Sequence, residues 1–548
     1  MYTNILRYKP SISITTLPEP RIRYQRQRNM LDIYQDKKTS ATDSKIDSRS
    51  IIHTASLLRH TPLSTLNYLL TTQQLTSRTL TEYSLHLIAS TNPTYNHTLD
   101  TSPIAIDTAT TLDTALQRRS ALHGIPILLK DNIPTLGDSM NTACGSLALV
   151  GAVPSEEAEV VGALRAAGAV VVGKGNMAEW AGFRSTSGCS GWSARGGQTT
   201  GLFYPRMKAS GSSGGCAVAV GLGVVGAALG TEVCFFNDFY GSMIAFLIWS
   251  GLVADKKSQT CYSIVSPAEK SGIIGFKPTR GLLSSKGLIH ASKRLDTVGV
   301  LARTVLDTQL VLTNILKHSH HMYEPTKQAL LRDLDIAIST PCIHGIRIAI
   351  PCPYTLREFQ NLSPFKTLAF DNLVLSLKEA GATVIRNVAI PGAPVWASLS
   401  LPEQTILFYA DMKASINAYL SSLTTNPYNI TDLASLIAFT KHHPDEQYPR
   451  RNVEGLENAQ AADLDASLYK KMLEKEDYFI NGEGGIHAAL TACCADVIIL
   501  PTLSPTMQML AAKAGSPVMS VPMGIFPVDT IVEKDEGSGL VSVAPGIP

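Results

Sequence analysis

The stretch Gly211-Ser212-Ser213-Gly214-Gly215, followed through Cys216 by the run Ala217–Gly230, decides how the rest of the chain is read. The turn is too rich in glycine to be helix or strand. The run behind it, Ala-Val-Ala-Val-Gly-Leu-Gly-Val-Val-Gly-Ala-Ala-Leu-Gly, is apolar on nearly every face and reads as one buried helix. Two hydroxyls then stand at the N-terminal end of a buried helix. Backbone N–H groups are free there and the helix dipole favours negative charge. Such a place suits a serine that passes a proton or sits beside an oxyanion. A Ser/Gly loop that merely caps a helix is the plainer reading, and the turn alone does not separate the two.

Composition narrows the field. The chain has 548 residues, 45% of them hydrophobic and 17% charged, which is the profile of a globular protein with a large core. A formal net charge of +2 and the lack of a long basic run give no electrostatic case for nucleic acid. The nine cysteines are odd in number and include no Cys-x-x-Cys, so reduced thiols in a cytoplasmic protein are expected. The first ten residues lack the apolar core of a secretion signal. The apolar stretch Phe239–Ala254 falls short of the roughly 20 residues a membrane span needs. His318-Ser-His-His321 and His442-His443 have no companion Cys or carboxylate pattern, and read as solvated surface rather than metal ligands.

Taken in order, residues 1–49 are polar and read as a flexible arm, with one catalytic domain over 50–548. Thr79-x-x-Glu82 reads as a capping box, with Leu80, Tyr83 and Leu87 on the buried face. Within Gly124–Ile133 the apolar run reads as a strand that ends at Lys130. Ser155 is expected to cap a helix from Glu156 to Ala167, which Gly168 stops, and Val170–Lys174 is a second buried strand. Strand, helix and strand imply parallel pairing. The pattern returns as a strand at 346–350, a helix at 366–380 and a strand at 383–390, with a further core strand at 496–500. Residues 400–480 read as a helical cover. The fold class expected is α/β, a sandwich with a large mixed β-sheet covered by helices.

Several ordered stretches together resemble the amidase signature family, and its fungal amidase and acetamidase branch in particular. They are Gly124-Ile-Pro-Ile-Leu-Leu-Lys130-Asp-Asn, Thr142-Ala-Cys-Gly-Ser146, Gly173-Lys-Gly-Asn-Met177-Ala-Glu179, Gly191–Thr199, Gly211–Gly215, Gly230-Thr-Glu232, Ser263-Ile-Val-Ser-Pro-Ala268, Gly275–Gly281 and Leu295–Gly299. The resemblance covers about residues 60–548. It implies the amidase-signature α/β/α sandwich, an acyl-serine mechanism on a small carboxamide, and neither metal nor organic cofactor. Lys130 would be the neutral general base, Ser212 the bridging serine behind a cis peptide, and Ser263 the nucleophile. Thr260, Cys261 and Tyr262 would supply oxyanion N–H groups, and Ser213 and Met177 would border the substrate. The rest of the pocket is expected from the 177–204 region, the helical cover and the 515–525 loop.

The chemistry stands on its own terms. A serine hydroxyl is a poor nucleophile without an adjacent base. A lysine serves as that base only if its pKa is pulled down, by desolvation at a buried strand end and by positive neighbours. A lysine that snorkels from a strand end into water is the bland alternative.

The chain departs from the family in one place. Val233–Gln259 separates Gly230-Thr-Glu232 from Thr260-Cys-Tyr-Ser263. Ser212 and Ser263 lie 51 positions apart, and removing those 27 residues leaves the family's gap of about two dozen. Ser242, in Tyr240-Gly-Ser-Met-Ile, competes for the nucleophile's role but lacks the Pro-Ala that follows Ser263. A retained intron accounts for the segment: Val-Cys can be encoded as GTATGT, which resembles a splice donor, and whole codons keep the frame. A real apolar loop is the alternative, and the spliced transcript decides between them. Relatives are also expected to continue past Pro548 through a strand and a terminal helix. Two other readings remain open: the glutaminase subunit of a tRNA-dependent amidotransferase, and an inactive or mis-spliced relative. The partner expected is a small-molecule amide, with no nucleic acid and no membrane span; pairing as a homodimer is left open.

Overall fold

Strands covered on both faces lose the alternation of buried and exposed residues. Four segments behave this way: Pro126–Lys130, Val170–Gly175, Ala227–Glu232 and Thr297–Ala302 are buried at every position. They form the centre of the molecule in a computed structural model that describes residues 59, 61–185, 190–233, 262–339, 342–352, 362–535 and 537–548. The expected arm at 1–49, Phe239–Ala254 and nearly all of Val233–Gln259 lie outside the described residues.

In chain order the strands are β1 (Thr98–Thr101), β2 (Pro126–Lys130), β3 (Val170–Gly175), the short pair β4 (Trp192–Ser193) and β5 (Gly197–Gln198), β6 (Ala227–Glu232), β7 (Ile274–Lys277) and β8 (Thr297–Ala302). Then come β9 (Arg347–Pro351), β10 (Thr383–Val388), β11 (Val497–Ile498), β12 (Val518–Ser520), β13 (Glu533–Lys534) and β14 (Val541–Val543). The main sheet runs β1-β3-β2-β6-β8-β7-β12. β2 pairs in parallel with β3 and β6, and the flanking pairs are antiparallel. This is the mixed sheet that the sequence predicts. The second strand-helix-strand unit does not join it: β9, β10 and β11 make a separate three-stranded parallel sheet.

Three local expectations are corrected. The run Ala217–Gly230 is not one helix. The helix spans Gly214–Gly221, the chain turns at Gly223 with φ +73, and the remainder is β6. Glycines inside an apolar run allow that break, and an apolar run alone cannot tell buried helix from buried strand. The helix after Ser155 begins only at Glu159 and has no side-chain cap. Glu157 instead accepts hydrogen bonds from the Leu136 N–H and from Arg165. The capping residue expected at Thr79 is Thr76, whose hydroxyl accepts from the Thr79 N–H; Leu80, Tyr83 and Leu87 are buried as read.

The cover is helical as expected: Leu401–Ser422, Leu433–His442, Glu454–Ala461 and Ala466–Ile480. Phe408, Met412 and Ile416 of its longest helix pack with Met177, Trp180 and Phe183 beside the main sheet. Among the described residues no helix is long and apolar enough to cross a membrane. The six cysteines described there are all free thiols.

Candidate active site

β2 carries Lys130 to the end of the buried centre of the sheet, and its side chain is 0% exposed. Snorkelling into water is therefore excluded. The ammonium group has three partners, none of them charged: the Ser212 hydroxyl at 2.7 Å, the Thr231 carbonyl at 2.8 Å and the Thr231 hydroxyl at 2.9 Å. Ser212 follows a cis peptide bond after Gly211, at the start of the Gly214–Gly221 helix. Its hydroxyl lies 2.8 Å from that of Ser263, and both serines are 2% exposed. The three groups singled out from sequence thus form one continuous buried chain, Nζ to Oγ to Oγ.

Burial draws the Lys130 pKa from its ordinary 10.5 to about 8. The positive neighbours expected from sequence are not among the main causes. The groups that act most on the amine after burial are the thiols of Cys144 and Cys216 and the carboxyls of Asp296 and Glu232, all of which favour the ammonium. Burial lifts the Cys144 thiol well above its usual range and that of Cys216 to about 12, so at neutral pH both are uncharged and exert no pull. Asp296 is itself pushed up to about 8 by burial. Desolvation dominates.

Thr231, the last residue but one of β6, stands inside the Gly-Thr-Glu motif, which does not by itself reveal its task. A neutral amine has two N–H donors and one lone pair. Donation to the carbonyl and hydroxyl of Thr231 leaves the lone pair for Ser212. Asn132 steadies that hydroxyl through its side-chain amide at 3.0 Å. The loop at 289 holds Asn132 in turn: the Ile289 N–H donates to its carbonyl at 3.1 Å, and its amide donates to the Ile289 carbonyl at 3.3 Å. Thr231→Val removes one acceptor of the amine while keeping its shape. We expect kcat to fall about tenfold, the equivalent of one buried hydrogen bond, with KM unchanged. Steady-state kinetics check it.

Ser263 is placed from both sides. Its carbonyl accepts from the Ser213 N–H at 3.0 Å. The helix after it, Val265–Ser271, is capped by a distant carboxylate: Glu232 accepts from the N–H of Ile264 at 2.8 Å and of Val265 at 3.3 Å, and from the Gln508 amide at 2.9 Å. Removing that carboxylate orphans several buried donors. Glu232→Ala is expected to destabilise the fold by about 3–5 kcal/mol, and Glu232→Gln, which keeps one acceptor, by less. Urea denaturation midpoints measure both.

Of the other residues read from sequence, Ser213 is wholly buried, its N–H donating to the Ser263 carbonyl and its hydroxyl to the Thr231 carbonyl at 3.4 Å. These bonds tie it to Ser263 and to β6. Met177 is 0% exposed and lies in the apolar cluster with Trp180 and Phe408, so it is packed core rather than an open pocket floor. Tyr262 adjoins Ser263 with φ +87, a left-handed conformation that favours glycine, and it is held there in a cluster with Val265, Trp396 and Leu510. Thr260, Cys261 and the competing Ser242 lie outside the described residues. Two cavities, of about 560 and 380 Å³, are lined by none of Lys130, Ser212 and Ser263. His318 and His442 each bond a backbone carbonyl four residues earlier, and the described residues hold no cluster of three potential metal ligands.

Comparison with known proteins identifies the family. The family model described as Amidase matches residues 79–234 and 253–533, and the break between the two stretches falls inside the segment singled out as anomalous. An amidase-family protein of Arthroderma benhamiae is 36% identical over 84% of this chain and 73% of its own length. A glutamyl-tRNA(Gln) amidotransferase component of Chloroflexus aggregans is 32% identical over 66% of this chain and 65% of its own length, so it matches less of the chain at lower identity. The crystal structure of native peptide amidase from Stenotrophomonas maltophilia superposes with a TM-score of 0.68 and 30% identity, covering 88% of this chain and 93% of that one. The protein is a hydrolase acting on amides, and the chain belongs to the amidase signature family.

Proposed function

We propose that this chain hydrolyses the C–N bond of a small carboxamide through an acyl-enzyme on Ser263. The observation that carries the reading is the buried relay of 2.7 and 2.8 Å from Lys130 through Ser212 to Ser263. The neutral amine of Lys130 takes the Ser212 proton as Ser212 takes that of Ser263. The freed Ser263 oxygen adds to the carbonyl carbon, forming a tetrahedral oxyanion. Backbone N–H groups of Thr260, Cys261 and Tyr262 are the proposed donors to it; each such donor is worth about 3–4 kcal/mol in serine hydrolases. The proton returns by the same route to the nitrogen that departs, as ammonia or an amine. Water then repeats the addition on the acyl-serine, with the relay again removing a proton, and a carboxylate leaves.

The test is a panel of carboxamides with different acyl and amine portions, assayed with the purified full chain and followed by release of ammonia or amine. A fluorophosphonate probe is run alongside, with the labelled peptide identified by mass spectrometry. Turnover with label on Ser263 supports the proposal. Turnover with label on another residue removes Ser263 from it.

A further inference from the structure

The last residues of the chain lie against both arms of the catalytic relay. One arm is the segment that enters the cis turn. Lys208, four positions before Ser212, donates its backbone N–H to the Val541 carbonyl at 2.8 Å, and the Val541 N–H donates to the Arg206 carbonyl at 3.0 Å. Met207 packs with Val541, Ala544 and Ile547 in a small apolar cluster of its own. The Lys208 ammonium meets Asp535 at 2.7 Å, with both side chains nearly buried. Asp535 is in turn built into the hairpin that joins β13 to β14: its second oxygen accepts from the N–H and hydroxyl of Ser538 at 2.9 and 2.8 Å.

The other arm is the helix that follows Ser263. Lys270, in its last turn, donates to the Ser542 carbonyl at 3.2 Å. Gly272 ends the helix in a left-handed conformation, and a Cβ there would stand 3.3 Å from Pro548. The described residues of the 533–548 stretch therefore hold the loop segment leading to Ser212 and the helix leading from Ser263.

We propose that residues 533–548 are a clamp that sets the Ser212–Ser263 hydroxyl distance, with Lys208 and Asp535 as positioning residues for the reaction. This rests on the relay proposed above. The physical reason is leverage. The relay needs two hydroxyls about 2.8 Å apart, and a displacement of order 1 Å in a reacting group costs about a hundredfold in rate. The Ser212 segment is otherwise an irregular loop, with Ser210 and Arg206 both at positive φ. A buried ion pair that loses one member leaves an uncompensated charge, and the loop shifts to solvate it.

The test uses the full chain and a fluorophosphonate probe, which separates reversible binding (KI) from the covalent step (kinact). Asp535→Asn, Asp535→Glu, Lys270→Met and Ser263→Ala are compared with the parent, and thermal midpoints are recorded. Asp535→Asn is expected to lower kinact by about 10- to 100-fold with KI within about twofold. Asp535→Glu should recover most of the loss. Lys270→Met, on the other arm, should lower kinact by about 3- to 10-fold. Lys270→Met also carries the measurement if Asp535→Asn does not accumulate as folded protein. A parent-like kinact in folded Asp535→Asn or in Lys270→Met overturns the clamp. So does a loss in Asp535→Asn that Asp535→Glu leaves unrepaired. Labelling that survives Ser263→Ala defeats the relay itself, whatever the Asp535 variants do; labelling lost in Ser263→Ala but unchanged in Asp535→Asn and Lys270→Met defeats the clamp alone.

Discussion

Ser263→Ala is expected to abolish both amide turnover and fluorophosphonate labelling, lowering kcat by about 10⁴- to 10⁶-fold. The change deletes one hydroxyl whose hydrogen bond is to Ser212, so the fold should persist with a thermal midpoint near the parent's. Ser212→Ala should cost a similar factor, because without it the nucleophile has no path to the amine. The two losses should not add. Groups that act as one unit fail together, so the double variant should be about as slow as either single one. Ser242→Ala should label like the parent. If Ser242→Ala abolishes labelling while Ser263→Ala keeps it, the nucleophile lies in the Val233–Gln259 segment and the relay must be redrawn.

The sequence shows the candidate reacting groups and hides what holds them. Lys130, Ser212 and Ser263 stand in motifs whose residues are consecutive, so their chemistry is readable without a fold. The supports depend on distance in space between residues far apart in the chain. Thr231 reaches Lys130 across 101 positions, and Glu232 reaches Ile264 across 32. Both are visible as letters of a motif, with nothing local to say what they bond. Asp535 lies 327 positions from Lys208 and carries no motif at all.

The same limit explains the errors in local structure. Ala217–Gly230 holds glycines at 221, 223, 226 and 230, and only the packing of β6 between β2 and β8 turns the second half into strand. Ser155 has the right chemistry for a cap, but the helix starts four residues later, and Glu157 is drawn to Leu136 and Arg165 instead. Met177 reads equally well as pocket or core because an apolar side chain suits both. It is wholly buried in one apolar cluster with Phe408 and Met412 of the cover, more than two hundred residues on, a packing role no local signal could show.

Lys130→Met is expected to lower kcat by at least about 10⁴-fold and also to change how stability depends on pH. In the parent a general base works only when deprotonated, so activity should rise with pH through a midpoint near about 8. The stability effect follows from the same depressed pKa. In the unfolded chain the amine holds its proton up to about 10.5, while in the folded protein it releases it near about 8. Between those values the unfolded state binds more protons, so the parent's stability rises with pH across that window. Below about 8 the parent carries the full cost of an ammonium out of water, about 3 kcal/mol from the depression from 10.5 to about 8. Methionine does not titrate. The stability of Lys130→Met relative to the parent should therefore be greatest at neutral pH, and should decline by about 3 kcal/mol as pH rises to about 10.5. The absolute offset is smaller, since methionine leaves the carbonyl of Thr231 without its donor at a cost of about 1–3 kcal/mol. That cost does not depend on pH, so it moves the whole curve and leaves the slope. Urea midpoints of both proteins at several pH values between about 7.5 and 10.5 measure the difference. Parallel curves would mean that the amine keeps an ordinary pKa inside the fold; it could not then serve as base at neutral pH, and the proton of Ser263 would need another acceptor.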